Sequence, residues 1–394
     1  VIYTKRGFIV GVLILVATAG AFSQSFQMEP LQYPSARMDA LGGYHVALAD
    51  DVTTLLANPA GFQAAGPQFT FTELTANLTG PIFSIADLVI RIVGGANPLT
   101  LLVDSKVQSL LTSLHTSLTL NGPLAFGYVG NGLGFGFFNS SGVTFSTVGT
   151  VPTITAQVGE DLQFVGGYAF RIPLPAVMNS TLDIGLSVRA FARGSVELSE
   201  SIVSFLSLLS APITSFLMSQ PFNLDVGFGV DTGIRYSWND VISVGIVSRN
   251  LYAPVMRNGY ATVTSFLSSG TPTMSYGTLP IDLSAGLLYS PRLGFLEDYM
   301  TGLKFMLDYR DILDFLTHPA TSSNPVLHLG LGMEAVLLQI LSLRGGFGQG
   351  YFSAGLGIDL AAFTFNVTMY GSELSTEPGL RPAYNLLASI EFRY

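Results

Sequence analysis

The sequence contains no cysteine among its 394 residues, which excludes disulfides and thiol catalysis. It is also short of charge. Asp, Glu, Lys and Arg make up 11% of the chain, where a soluble globular domain carries roughly 25%. Tryptophan occurs once. Long apolar runs are missing except at the N-terminus, although 48% of residues are hydrophobic. That excludes a bundle of membrane helices, each of which needs about 20 consecutive apolar residues. Basic residues number 17 against 26 acidic ones, and a net charge of −9 makes nucleic acid a poor partner.

The one apolar run covers residues 7–21. Lys5 and Arg6 precede it, and the small residues Ala19, Ala21 and Ser23 follow. A positive region, an apolar stretch and a small-residue cleavage zone read as a secretory signal over residues 1–23. Val1 in the first position reads as an unusual start codon of an uncut precursor. With no cysteine at the cleavage zone, lipoprotein processing is excluded.

The remaining hydrophobicity is arranged with a period of two. Leu182, Ile184, Leu186, Val188 and Ala190 alternate with Asp183, Gly185, Ser187 and Arg189. Leu224, Val226, Phe228 and Val230 alternate with Asp225, Gly227, Gly229 and Asp231, and Phe352 to Leu360 repeats the pattern. The second set is too small and polar to form a core. The large residues must therefore face outward, and their solvent must be lipid. The chain closes on Leu386, Ala388, Ile390, Phe392 and Tyr394, a half-oily strand ending in an aromatic. This strand is the expected address for barrel-assembly machinery.

The pattern predicts an all-β transmembrane antiparallel barrel of about fourteen strands over residues 66–394. The strands are placed at 66–78, 123–130, 132–147, 160–171, 180–196, 222–236, 240–250, 279–290, 300–309, 325–336, 340–347, 352–360, 362–370 and 383–394. Linkers after even-numbered strands are mostly tight and those after odd-numbered strands mostly long, the barrel rule of short periplasmic turns and long outer loops. The 348–351 linker is an exception. Two outer loops read as helical. Val103, Val107, Leu110, Leu114 and Leu118 recur at helical spacing in one, and Ile202, Phe205, Leu209, Ile213 and Phe216 in the other. They form either a hydrophobic outer groove or two helices packed on each other.

Residues 24–65 do not alternate, and they are too apolar for a dangling tail. They carry Arg37-x-x-Ala40-Leu41-Gly42-Gly43, then Ala49-Asp50-Asp51, then Asn58-Pro59-Ala60 just ahead of the first strand. Leu343-Arg344-Gly345-Gly346, Ala354-Gly355-Leu356-Gly357 and Pro378-Gly379 follow near the other end. These elements resemble the FadL family of outer-membrane transporters of hydrophobic compounds, and its PorV-like branch. The resemblance covers both ends of the chain; the middle matches in architecture alone.

The resemblance implies an N-terminal hatch, residues 24–65, inside the barrel. It also implies uptake of long-chain fatty acids or other hydrophobic small molecules by passive, hatch-gated diffusion, with exit through the wall and no cofactor or metal. On that basis Gly42, Gly43, Asp50, Asp51, Asn58, Pro59 and Ala60 are gating candidates. Arg37, Arg189, Arg193 and Lys304 are candidates by position for a carboxylate headgroup. A PorV-like docking protein for secretion, or a surface adhesin barrel, shares the same ends. The expected setting is the outer membrane of a double-membraned bacterium, with lipid as neighbour and the chain as a monomer.

Enzymatic chemistry finds no foothold. Gly132-x-Gly134-x-Gly136 lacks the helix a phosphate loop needs, and alternation explains it as inward-facing glycine. Asp311, Asp314 and His318 read as a solvated loop face rather than a metal site. His45, His115 and His328 are scattered, and no nucleophile elbow is present.

Overall fold

The computed structural model describes residues 26–81, 114–148, 153–201, 213–294, 299–317, 319–360 and 362–393, together with Asp87, Ile90, Arg91 and Asp104. Its strands form one closed antiparallel ring of fourteen. They are β1 Gln68–Thr79, β2 His115–Asn121 resuming as Phe126–Gly130, β3 Leu133–Val148, β4 Thr153–Ile172 and β5 Ser180–Ser201. β6 is Phe222–Trp238, β7 is Ile242–Tyr252 resuming as Pro254–Tyr260, and β8 is Thr273–Thr278 resuming as Asp282–Tyr289. Then come β9 Met300–Tyr309, β10 Leu329–Leu337, β11 Leu341–Gly348, β12 Tyr351–Asp359, β13 Phe363–Glu373 and β14 Pro382–Arg393. β14 pairs with β1, Ala388 opposite Ala76, and so closes the wall.

Alternation sets which way each side chain points. On β5, Asp183 and Ser187 are buried while Leu186 is 54% exposed. The same outward display recurs at Phe164, Tyr168, Ile234, Ile246, Leu307, Met333, Leu356 and Leu386. A belt of large exposed apolar residues around a ring with a polar interior is the surface of a membrane-spanning barrel. Among the described residues no helix is long and apolar enough to cross a membrane.

The strand count agrees with the expectation, but several strands run longer. β4 begins at Thr153 rather than 160, β5 runs to Ser201, β7 to Tyr260, and β8 begins at Thr273. β10 starts later than expected, because 325–328 forms a 3-10 turn. The helix expected over 99–118 is corrected at its end: His115–Asn121 is strand, pairing with β1 and β3. Leu114 and Leu118 are four apart, a spacing that serves a strand's period of two as well as a helical turn. Of the groove residues, Val103, Val107, Leu110, Ile202, Phe205 and Leu209 lie outside the described residues. Leu114 is half-buried and binds Thr147 through its N–H and carbonyl, and Phe216 is half-buried in a helix at Ile213–Met218.

Three strands are interrupted. β2 breaks at 122–125, where Gly122 takes φ +83°. The Asn139 side chain bridges the break, accepting from Leu124 N (3.0 Å) and donating to Gly122 O (3.1 Å). β7 and β8 break side by side, at Ala253 and at 279–281.

The segment from 26 to 66 touches inward faces on all sides of the ring. A Cβ on Gly245 of β7 would lie 2.6 Å from Val46 O, one on Gly332 of β10 2.7 Å from Leu41 O, and one on Gly355 of β12 2.6 Å from Ala40 Cβ. On the opposite side Phe62 and Leu55 lie against Gly134 of β3. A segment that meets all these strands must lie within the lumen. It carries two short helices, α1 Ala36–Ala40, capped by Ser35, and α2 Thr54–Ala57, then a 3-10 turn at Pro59–Gln63 capped by Asn58.

Candidate functional site

The inner segment is held mainly by its backbone. Wall side chains reach its carbonyls: Asn121 donates to Pro34 O (2.8 Å), Thr368 to Ala36 O (2.5 Å), Ser353 to Ala40 O (2.9 Å), Arg235 to Ala47 O (3.0 Å), and Arg310 to Gly42 O. In return Asp308 of β9 accepts from Val46 N (2.7 Å) and pairs with the buried His45 ring. Glycines on the wall let the two backbones approach closely.

Gly42 and Gly43 take φ of +83° and +116°, which lets the chain turn after α1 where only glycine is comfortable. A Cβ on Gly43 would lie 2.5 Å from the Arg310 guanidinium. Asn58 is fully buried. Its side-chain oxygen accepts from Ala60 N (3.0 Å), while its amide donates to Val46 O (3.0 Å) and to Ile234 O on β6 (3.4 Å). Pro59 and Ala60 lie directly on Gly185 of β5. These three residues therefore dock the segment on β5 and β6, far around the ring from Gly42.

Asp50 and Asp51 belong to a charged cluster. The Arg37 guanidinium donates to both Asp50 oxygens (2.8 Å each), to Asp51, and to Glu334 of β10 (2.6 and 2.9 Å). Arg344 Nε also reaches Glu334 (2.7 Å), and Lys304 of β9 pairs with Asp50. Burial alone would raise the Asp50 carboxyl, but the Arg37 guanidinium and then Lys304 override it and hold it well below the usual carboxylate range. These groups line a cavity of about 190 Å³ at the short-turn end, with Glu73, Asp359, Glu391 and Arg393 also on its wall. Asp39, on the side facing the long loops, is pushed by burial up to about 7.

The wall bears a second charge pattern that composition alone does not reveal. Arg171 faces Asp183, Arg193 faces Asp161, Arg257 faces Asp225, Arg249 faces Asp282 and Arg344 faces Glu334, each pair directly opposite in register and ion-paired. The headgroup candidates are thus already engaged: Arg37 and Lys304 as above, Arg189 with Asp231 (2.9 Å) and Arg193 with Asp161 (2.6 Å). Sequence reasoning missed Arg235 and Arg310, two cations that bind inner-segment carbonyls. Arg235 sits on an inward position of β6, and Arg310 carries on the inward parity of β9 one residue past its end; that parity was the available signal. Asp314 is buried and lies 3.2 Å from His328; His318 lies outside the described residues.

Against these polar zones stand three apolar clusters. Val52, Leu55 and Phe62 pack on Val129, Phe138 and Val165. Met38, Leu41 and Leu48 pack on Leu288 and Met306. Met28, with Phe26 and Leu31, packs on Phe191, Ala253, Val255 and Leu279.

No family model and no curated protein matches this sequence. Solved structures do. A TodX monoaromatic hydrocarbon channel mutant aligns over 91% of this chain and 98% of its own at 12% identity, with a TM-score of 0.51. The Pseudomonas putida toluene transporter TodX covers 94% and 99% at 12% identity, TM-score 0.45. A Pseudomonas aeruginosa FadL homologue covers 90% and 96% at 11% identity, TM-score 0.41. At such identities the likeness is one of fold, and this chain is a fourteen-stranded membrane barrel built on the plan of the TodX channel.

Proposed function

We propose that the protein is an outer-membrane channel for hydrophobic small molecules, working by passive diffusion, with residues 24–65 as its hatch. The short turns then face the periplasm and the long loops the outside. The carrying observation is the contrast inside the lumen. Apolar clusters line the seat of the segment, while the short-turn end opens into a cavity ringed by Arg37, Lys304, Arg344 and Arg393 with six carboxylates. An apolar molecule gains by entering the former and gains nothing in the latter, so the barrel axis is a poor exit and the wall a better one.

A filled lumen argues against an open diffusion pore. The seat is non-covalent throughout, as a gate requires. Because Arg37, Arg189, Arg193 and Lys304 are all paired with carboxylates, the reading favours uncharged apolar cargo over fatty acids that need a headgroup site. The TodX mutant aligned above is a monoaromatic hydrocarbon channel, which agrees with that choice.

The test is uptake by cells whose outer membrane carries this protein as the added channel. Radiolabelled toluene and oleate are supplied separately. Faster entry of either than in cells with the empty vector supports the reading, and toluene should gain more. No gain for either, with the barrel shown to be folded, rejects it.

A further inference from the structure

The cavity at the short-turn end carries an unbalanced charge. Four cations and six carboxylates lie on its wall, which leaves two negative charges over. Ion pairing shows where they reside. Asp50 and Asp51 pair with Arg37, Glu334 with Arg37 and Arg344, and Asp359 with Arg393. Among the described residues no cation pairs with Glu73 of β1 or Glu391 of β14. Their partners are neutral. Thr75 Oγ1 (2.8 Å) and the Tyr33 hydroxyl (3.4 Å) donate to Glu73, and Thr70 Oγ1 (2.7 Å) and the Gln68 amide (3.4 Å) donate to Glu391 Oε1.

These two glutamates are directly opposite in register, across the seam where β14 closes on β1. Residues so placed have Cβ atoms about 4.5–5.5 Å apart, and like charges there repel. The row continues around the wall: Thr364 of β13 is opposite Glu391, and Asp359 of β12 is opposite Thr364. Thr364 is 7% exposed and lies on the cavity wall, and its Oγ1 has no hydrogen-bond partner. A buried hydroxyl left in that state costs free energy, which a water held in the cavity recovers.

We propose that the cavity binds one hydrated Mg²⁺ ion, bridged between the Glu73 and Glu391 carboxylates. A divalent cation matches the two surplus charges, and each carboxylate can give it one oxygen at roughly 2.0–2.1 Å. Among the described residues no three His or carboxylate side chains gather to hold a metal, so the chain offers no all-protein cage of the kind calcium favours. Magnesium instead keeps several of its waters, and a cavity of about 190 Å³ has room for them at ~30 Å³ each. Thr364 Oγ1 accepts from one of these waters. The ion ties the first strand of the wall to the last, and nothing in the site depends on what the barrel carries.

The test uses the whole barrel, folded in a mild detergent, stripped with EDTA and dialysed against MgCl₂, with bound metal measured by atomic absorption. One Mg²⁺ per chain is expected, and Ca²⁺ should bind more weakly. Glu73→Gln and Glu391→Gln should each weaken binding by about a hundredfold, and the isosteric Thr364→Val by about tenfold, the range seen when metal sites lose a supporting group. Heat-modifiable migration on gels shows that each variant is folded. Mg²⁺ should also slow hydrogen exchange at 73–76 and 388–391, the two sides of the seam, and leave β4 to β6 unchanged. Metal retained undiminished by the Glu73→Gln/Glu391→Gln double variant would trace it to carried-over lipid and overturn the site. Tighter binding of Ca²⁺ than of Mg²⁺, or no metal on the folded unaltered barrel, would overturn it equally.

Discussion

Replacing Glu334 by glutamine should loosen the inner segment while leaving the wall closed. Glu334 is 2% exposed, and its oxygens receive Arg37 at 2.6 and 2.9 Å and Arg344 at 2.7 Å, with Lys304 Nζ 3.6 Å away. At an effective dielectric constant of about 20, a unit-charge pair ~4 Å apart is worth about 4 kcal/mol before desolvation. Glutamine keeps the shape but removes the charge that three cations share. Truncating a buried pair in this way costs about 3–5 kcal/mol. Only Arg37 belongs to the inner segment, and Asp50 and Asp51 still hold it, so roughly 1–2 kcal/mol of that loss falls on the seat. Hydrogen exchange at residues 35–57 should then quicken by roughly 5–30-fold, while amides of β3 to β6 keep their rates. Arg37→Gln alone and combined with Glu334→Gln completes a double-mutant cycle, and the pair should fall short of additivity. Unchanged exchange in Glu334→Gln would refute the claim that this cluster fastens segment to wall.

Three further perturbations have defined outcomes. Gly185→Ala sets a methyl group against the backbone of Pro59 and Ala60, an overpacking worth about 1–3 kcal/mol, and should raise single-channel conductance in planar bilayers as the 58–62 turn lifts. The Asp39 carboxyl, raised to about 7 by burial from 3.8, makes the seated state bind more protons than the released one. Its contribution is thus full below the ordinary carboxylate range and is lost as pH rises through about 7, so exchange at 35–43 should climb there relative to Asp39→Asn. Asn139→Ala removes the bridge across the β2 break, leaving Leu124 N and Gly122 O without that partner, and should cost about 1–3 kcal/mol, read as faster exchange at 122–125 alone.

Where sequence reading succeeded, it did so through period-two alternation, which is strict wherever one face meets lipid and the other a polar lumen. It failed where that contrast fades. The outer portions of β4, β5, β7 and β8 are more mixed, as in Ser195 to Ser201, and their pairing continues without an oily stripe to announce it. The turn at Leu338 and Gln339 takes positive φ at both residues with no Gly or Asn to mark it. Gly42, Asn58 and Pro59 could be singled out as special backbone positions, but not their partners, which are set by register across strands far away in sequence. The Arg–carboxylate ladder was equally hidden, since Arg257 and Asp225 become neighbours only once β6 and β7 are aligned.

The inner segment precedes every strand of the barrel wall, yet its anchors arrive late. Ala36 O waits for Thr368, Ala40 O for Ser353, and Arg37 for Glu334, some three hundred residues downstream. Contacts of such sequence separation form slowly. Assembly must therefore raise most of the wall before its first-made piece can settle, and a barrel caught at that stage is a hollow one. The time between closure and filling, rather than any property of the finished molecule, is when this protein is most exposed to becoming a leak.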